Sequence, residues 1–500
     1  MKTIRLTLFF LQLFLAGIAY SQTFNLTVSE GYGSGTYSEG DTVHVWSRAV
    51  FGDSVFVEWA GSGVPYLTFD NEWHTTLAVP AGTGAGALTL EANFDVIPEG
   101  SRIDSTDYFL FGINNGNELR VEKRVLFAIP PEPKGLVFLL HGTNGSGRSF
   151  FDKYDRFSIV KDLLYNGYAA VALDANEQTL GDQNGDDKLR WYALNASTAN
   201  ADNNIDIKNI AALRDSMIAD FSLPADIASF SLGMSNGAVF SDICAAALGF
   251  NASAHVTAKG RTGTYLRDDI APVIWIMSEN DQNENADNDG AYSHYTLMSN
   301  RQKAEWHWFR RSPAYPQRFV RSLNDISPAQ SDSVFQRLKD GGYLRDDNFL
   351  AYSRTDSIPF SFLNGLRFTR SQVIDIFLQL RMLNADHVLH SDFSKNIIRF
   401  FDETLMPTAV HTPAATVPEK FSITAWPNPF RDITTITIDT PGNTRFTLTL
   451  FNLLGQAVRR FDDVSGPRFR IDRKGLANGV YFLQITAQGR TLAIGKVMIR

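Results

Sequence analysis

The sequence predicts an α/β protein, whose core is a mostly parallel sheet with helices on both faces. A small N-terminal β domain and a C-terminal β-sandwich flank this core. Residues from about 101 to 407 alternate continuous apolar strands with helices, which is typical of a parallel sheet covered on both sides. Residues 22–100 and 421–500 instead contain short β-rich runs separated by Gly, Ser, Asp and Asn turns.

The composition restricts the classes of function. Hydrophobic residues make up 44% of the chain and charged residues 20%, which is enough apolar material for packed cores. The net charge of -8 argues against nucleic acid or an anionic membrane as the partner. The single cysteine, Cys244, excludes an internal disulfide framework and a multi-cysteine zinc site. No cluster of His and Cys ligands suggests zinc, and we expect neither a metal nor a cofactor. The Asp/Asn-rich stretches 182–187 and 279–290 are interpreted as solvated turns, with calcium binding as the alternative.

The first 21 residues are typical of a signal peptide. Lys2 and Arg5 supply a positive start, and residues 6–18 are apolar but short for a transmembrane helix. Residues 19–21 include the small side chains that signal peptidase recognises. A membrane anchor is the alternative, but no basic stop-transfer flank follows. We therefore expect a protein exported through the periplasm, without a transmembrane segment in its mature form.

Residues 22–100 carry the first β pattern. The segments 33–43, 57–61 and 89–94 together resemble one copy of the internalin-type B repeat. The resemblance implies a small β module of the kind found on bacterial surface proteins. The aromatic residues of this region could form a carbohydrate platform, although such residues more often form a core.

One motif indicates nucleophilic catalysis. Ser235 lies in the only G-x-S-x-G of the chain, residues 233–237. Residues 227–232 before it predict a short buried strand, and residues 238–248 after it predict a helix ended by Gly249. A sharp turn between strand and helix pushes the serine hydroxyl outward at the helix N-terminus. A serine also needs a base, an acid that orients the base, and donors for the developing oxyanion.

A glycine-rich loop, residues 141–147, directly follows a predicted strand that ends at Leu140. Together with the serine motif it resembles the α/β-hydrolase superfamily, most closely secreted feruloyl esterases, acetylxylan esterases and polyhydroxybutyrate depolymerases. The resemblance implies that Ser235 is the nucleophile. It also implies an oxyanion hole formed by the backbone N–H groups of Thr143 and Asn236.

The candidate acid is Asp281, four residues after the predicted strand that ends at Met277. The superfamily commonly places its acid in a turn after this strand. Glu279 and Asp287 are the alternatives in the same stretch.

The candidate base is His387, with His390 as the alternative. A helix predicted over residues 393–405 follows, as the last helix follows the histidine of the superfamily. The order Ser, Asp, His is that of α/β-hydrolases and differs from the order in chymotrypsin-like and subtilisin-like proteases.

The spacing between acid and base departs from the superfamily pattern. His387 comes 106 positions after Asp281, whereas a minimal core needs roughly 30, so about 75 residues are inserted. Helices are predicted over residues 328–338 and 370–383 in this insertion, which spans about 300–380. The insertion is either a cap over the active site or a peripheral structural addition.

The C-terminal part has its own signature. Residues 408–420 form a Pro/Thr/Ala linker, and residues 421–500 return to alternating β patterns. Characteristic motifs appear in four segments of the tail: 426–430, 450–458, 476–485 and 495–500. With these motifs the tail resembles the C-terminal sorting domain of type IX secretion, known from Bacteroidota. That resemblance implies a small β-sandwich that the outer-membrane export machinery recognises and usually removes; an Ig-like binding module is the alternative.

These observations predict a secreted serine hydrolase that cleaves carboxylic esters of a polysaccharide or polyester through an acyl-enzyme. Its expected partners are an extracellular ester substrate and the type IX secretion machinery. An extracellular serine peptidase is one alternative, because the same catalytic groups cleave amides. A non-catalytic surface adhesin built on a hydrolase fold is the other.

Overall fold

A computed structural model describes residues 22–283, 286–405, 423–438, 445–452, 457–465, 468–487 and 490–500. The predicted signal peptide, residues 1–21, and the predicted linker, residues 408–420, lie outside the described residues. The described residues up to 405 belong to one compact unit and those from 423 to a second. No helix among the described residues is long and apolar enough to cross a membrane.

Two small sheets form the N-terminal region. Their strands are β1 (Thr23–Ser29), β2 (Gly31–Tyr32), β3 (Gly35–Ser38), β4 (Thr42–Ser47), β5 (Ser54–Ala60), β6 (His74–Ala78) and β7 (Ala87–Val96). The strand orders are β3-β1-β7-β5 and β2-β4-β6. Alternate residues of β1, beginning with Phe24, point inward, as in a half-buried strand. Trp46, Trp59 and Trp73 are buried in the same core, so these three side chains do not form an exposed platform.

The central sheet has eight strands. They are β8 (Arg102–Asn114), β9 (Asn117–Ile129), β10 (Gly135–Leu140), β11 (Tyr168–Ala172), β12 (Ala228–Met234), β13 (Ala252–Val256), β14 (Val273–Ser278) and β15 (Ala304–Phe309). Their order across the sheet is β8-β9-β11-β10-β12-β13-β14-β15. Only β9 runs antiparallel to both neighbours, and the strands from β11 to β15 are parallel. This topology confirms the predicted α/β-hydrolase core.

Helices cover both faces of this sheet. The helices of this unit are α1 (Ser149–Asp152), α2 (Tyr154–Tyr165), α3 (Asn176–Leu180), α4 (Ile205–Asp220), α5 (Asn236–Leu248), α6 (Thr262–Tyr265), α7 (Asn288–Ser299), α8 (Pro328–Asp340), α9 (Arg370–Leu383) and α10 (Ser394–Leu405), of which α8 and α9 belong to the inserted segment described next. Every residue of β10 is buried, and successive side chains enter opposite cores. Val137 packs with residues of α2 and α10, whereas Phe138 packs with residues of α4 and α5. A strand buried on both faces explains the unbroken apolar run.

The segment between β15 and α10 contains the predicted insertion. Its helices α8 and α9 were both predicted, and each begins with a capping box, at Ser327 and Thr369 respectively. These helices and the turns between them enclose a separate apolar core that includes Phe319, Phe335 and Leu380.

The N-terminal region packs directly on the last part of the α/β region. His74 Nδ1 lies 2.6 Å from Asp392 Oδ2, and His74 Nε2 lies 3.0 Å from His44 Nδ1. The buried carboxylate of Glu72 accepts hydrogen bonds from the backbone and side-chain nitrogens of Asn396, at 3.0 and 2.8 Å. Asp392 and Asn396 lie at the start of the last helix, so the β region holds this part of the chain.

The second unit has strands but no helix among its described residues. They are β16 (Ile423–Trp426), β17 (Ile433–Ile438), β18 (Arg445–Phe451), β19 (Ala457–Ser465), β20 (Arg468–Asp472), β21 (Gly479–Ala487) and β22 (Arg490–Ile499). Two antiparallel sheets, β16-β17-β20 and β19-β18-β21-β22, enclose a core of their own. The predicted C-terminal β fold is confirmed.

Candidate active site

Ser235 occupies the turn between β12 and α5, as predicted. Its backbone has φ 57° and ψ -122°, a conformation that non-glycine residues rarely adopt and that is common at functional sites. A Cβ atom on Gly233 would lie 2.1 Å from the carbonyl oxygen of Gly237, and one on Gly237 would lie 2.2 Å from that of Leu140. Only glycine fits at either position, which explains the spacing of the motif.

The loop after β10 is held by His141. Its Nδ1 donates to the carbonyl oxygen of Gly142 at 2.8 Å, and its Nε2 accepts from the backbone N–H of Ala175 at 3.1 Å. Burial lowers the pKa of His141, which favours the neutral ring that these two bonds require. His141 therefore shapes the loop rather than lining the cavity that contains Ser235.

Thr143 and Asn236 both line the cavity beside Ser235. Within the part of the chain that the structure describes, neither backbone N–H donates a hydrogen bond to the protein. The Asn236 side chain is turned away, because its Oδ1 accepts from the N–H of Trp191 at 2.8 Å. Trp191 Nε1 in turn donates to the carbonyl oxygen of His141 at 2.9 Å. Trp191 thus ties the serine turn to the loop, a role that no sequence pattern indicated.

The candidate acid and base are in contact. His387 Nδ1 lies 2.8 Å from Asp281 Oδ2, and the Asp281 side chain is almost completely buried. Asp281 Oδ1 accepts from the backbone N–H of Asn283 at 2.9 Å. A carboxylate at Nδ1 fixes the proton there and leaves Nε2 as the basic nitrogen.

Ser235 and His387 line the same cavity, which has a volume of about 1110 Å³. Within the described residues, no hydrogen bond of 3.5 Å or less joins the Ser235 hydroxyl to the His387 ring. Such bonds are often long or poorly aligned in free enzymes and shorten when substrate binds. The structure therefore places a hydrogen-bonded pair, His387 and Asp281, beside the cavity that Ser235 also lines.

The three alternative residues have other partners. Glu279 accepts from the backbone of Arg311 at 3.2 Å, and Asp287 caps α7 by accepting from Gly290 at 2.8 Å. His390 is buried and stacks on Phe309, with ring centroids 3.5 Å apart. Among the described residues, no hydrogen bond or ion pair joins any of the three to His387.

The inserted segment reaches the cavity through α9. Ile374, Leu378 and Arg381 contribute to its lining. Arg381 also donates to the carbonyl oxygen of His387 and lies 3.3 Å from a carboxylate oxygen of Asp386. Helix α9 is therefore part of the cavity wall, which favours the cap over the peripheral interpretation of the insertion.

The buried His390 provides a test of the packing around the base. Burial lowers its pKa to about 4, whereas an unfolded histidine titrates near 6.5. Below pH 6.5 the unfolded chain therefore binds the extra proton, and stability is lost as the pH falls towards 4. We expect the free energy of unfolding, relative to a His390→Phe variant, to fall by about 2 kcal/mol between pH 6.5 and 5.

Denaturant titrations of both proteins at graded pH measure this difference, and other buried groups cancel in the comparison. A difference that stays constant, or grows in favour of the wild type as the pH falls, would contradict a buried neutral His390.

Comparison with known proteins gives two kinds of match. Solved structures that match include a dienelactone hydrolase from Anabaena variabilis, 15% identical, covering 42% of this chain and 87% of that chain, with a TM-score of 0.28. An S-formylglutathione hydrolase from Agrobacterium tumefaciens is 10% identical and covers 47% of this chain and 91% of that chain, with a TM-score of 0.31. A carboxylesterase from Mesorhizobium loti is 18% identical and covers 44% of this chain and 94% of that chain, with a TM-score of 0.26. No curated protein sequence matches the chain.

The C-terminal unit has a family match. Residues 424–500 match the model of the secretion system C-terminal sorting domain, in agreement with the resemblance seen in the sequence. The end of the chain is therefore a type IX sorting domain, and the protein is exported to the cell surface or the extracellular space.

Proposed function

We propose that this exported protein is a serine hydrolase that cleaves carboxylic esters. The bond between His387 and Asp281, beside a cavity that also contains Ser235, carries the proposal. The unused backbone N–H groups of Thr143 and Asn236 support it, since an oxyanion needs donors that are already oriented.

In the proposed first step, Ser235 Oγ attacks the ester carbonyl carbon while His387 Nε2 takes its proton. The carbonyl oxygen becomes an oxyanion, which accepts hydrogen bonds from Thr143 and Asn236. The C–O bond to the alcohol then breaks, and His387 gives its proton to the departing oxygen. Asp281 stabilises the imidazolium form of His387 throughout.

The same groups then catalyse hydrolysis of the acyl-enzyme, with water in place of the serine as the nucleophile. A water molecule gives one proton to His387 and attacks the acyl carbon. The bond to Ser235 breaks, the serine recovers its proton, and the carboxylic acid leaves.

We further propose a polymeric ester, of a polysaccharide or a polyester, as the substrate. A second cavity of about 390 Å³ shares Arg190, Asn236 and Arg261 with the cavity at Ser235. The two spaces therefore adjoin, so a substrate bound at Ser235 has room to extend into the second cavity.

A fluorophosphonate probe and two chromogenic substrates test the proposed activity. We expect the purified protein to react covalently at Ser235 and to hydrolyse p-nitrophenyl acetate. Hydrolysis of peptide p-nitroanilides in place of esters would identify a peptidase, and inertness in all three assays would favour the adhesin.

Deletion of residues 421–500 tests the separation of delivery from catalysis. The tail forms a compact unit with its own core and contains no proposed catalytic residue. We expect the shortened chain to stay in the periplasm and to retain ester hydrolysis after purification. Fractionation and an esterase assay of each fraction measure this. Normal surface delivery, or a folded but inactive shortened enzyme, would contradict the expectation.

A further inference from the structure

We propose that the ester substrate carries a carboxylate, or a similar oxyanion, near the scissile bond and that Arg156 binds it. This inference rests on the proposed esterase function and names the class of substrate.

The cavity around Ser235 is strongly cationic, although the whole chain has a net charge of -8. Among the described residues that line it, Asp287 is the only acidic side chain. The cationic side chains of this lining are Lys153, Arg156, Lys188, Arg190, Lys259, Arg261 and Arg381. Like charges gathered in one cleft repel each other and attract an anionic ligand.

Four of these cations are neutralised by carboxylates. Lys153 lies 3.1 Å from Asp375, Lys259 lies 2.6 Å from Asp287, and Arg381 lies 3.3 Å from Asp386. The fourth, Arg190, pairs with Asp186 on the same loop.

The other three, Arg156, Lys188 and Arg261, have no carboxylate within 4.0 Å in the described parts of the chain. The excess of positive charge in the cavity therefore comes from these three side chains.

Arg156 is the most constrained of the three. It belongs to α2 in the wall of the cavity and is partly buried, and no hydrogen bond joins its guanidinium to any described residue. Burial is the main cause of its lowered pKa, and the neighbouring Arg381 lowers it further. The carboxylate of Asp152 acts in the opposite direction and raises the pKa of Arg156, but Asp152 forms its ion pair with Arg148, at 3.7 Å.

A guanidinium stays charged in proteins, so this side chain cannot avoid the cost of burial by losing its proton. Its planar set of N–H donors matches a carboxylate with two parallel hydrogen bonds. An anionic group on the substrate would offset both the burial of Arg156 and its repulsion from Arg381.

The carboxylate could belong to the acyl part of the ester or to its alcohol part. Two matched pairs of substrates distinguish these sources. For the acyl part we compare mono-(4-nitrophenyl) glutarate with 4-nitrophenyl valerate, and for the alcohol part 4-acetoxybenzoate with phenyl acetate.

We expect wild-type enzyme to favour the anionic member of at least one pair in kcat/KM, and to lose that preference as salt is added. In Arg156→Gln the ratio of the two kcat/KM values for that pair should fall about 10- to 100-fold, the contribution typical of a hydrogen bond to a charged group. Arg156→Lys should keep part of the preference, because it retains the charge but loses the planar donor set.

The matched control is Arg345→Gln. Arg345 is an exposed arginine of the inserted segment that pairs with Asp347 and does not line the cavity. The preference should be unchanged in this variant. An active Arg156→Gln enzyme with the wild-type ratio in both pairs would overturn the inference while leaving the esterase proposal intact.

If Arg156→Gln fails to fold, competitive inhibition of the wild-type enzyme by anionic and neutral compounds tests the inference instead. Glutarate or 4-hydroxybenzoate should then compete with neutral esters more strongly than glutaramide or phenol does. Equal inhibition within each pair would overturn the inference. Failure of the esterase proposal is distinct, since the wild-type protein would then hydrolyse neither the anionic nor the neutral member of either pair.

Discussion

Replacement of Ser235 by alanine is expected to lower kcat for ester hydrolysis by about 10⁴- to 10⁶-fold, the loss typical of removing a triad nucleophile. No other group in the proposed mechanism can form the acyl-enzyme. The fold should survive, because the Ser235 hydroxyl makes no hydrogen bond to the described residues and alanine, like serine, carries only a Cβ atom against the backbone at this φ and ψ. Steady-state kinetics with p-nitrophenyl acetate measure the loss, and the fluorophosphonate label should disappear with it.

Ser216→Ala is the matched control. Ser216 lies on α4, its hydroxyl donates to the carbonyl oxygen of Ala212 at 3.0 Å, and it does not line the cavity. This variant should keep wild-type kcat. A folded Ser235→Ala protein with more than roughly a tenth of wild-type activity would remove the basis for the proposed triad.

Replacement of His387 by glutamine is the second large expected effect. Glutamine cannot take the serine proton, so kcat should fall by about 10⁴-fold or more. The same substitution at His390 provides the comparison. His390 is buried against Phe309 and makes no hydrogen bond to Asp281 among the described residues, so His390→Gln should lower the melting temperature and leave kcat within about tenfold of wild type.

Steady-state kinetics and thermal melting of both variants measure these two effects. The opposite pattern, with a large loss of kcat in folded His390→Gln and little loss in His387→Gln, would reassign the base.

The serine turn could be predicted because its determinants are adjacent in sequence. Gly233 and Gly237 stand at fixed distances from Ser235, and each is required by a close backbone approach. The two insertion helices were predictable for the same reason, since Ser327 and Thr369 provide local caps.

The pairing of acid and base could only be chosen by resemblance. Asp281 and His387 are 106 positions apart, and their contact depends on how the inserted segment folds back onto the sheet. No local pattern encodes that path. Trp191 shows the same limit, because its bonds to Asn236 and His141 join three separate stretches of chain.

The contact between the N-terminal β region and the start of α10 has a consequence for how this chain can vary. Asp392 and Asn396 follow His387 by only a few residues, and His74 and Glu72 hold them in place. The N-terminal β region and the α/β region are therefore expected to unfold as one cooperative unit and to be retained together when the sequence varies. Exchanging the first hundred residues for another β module would alter the alignment of the proposed base, whereas exchanging the sorting tail would change only where the protein is delivered.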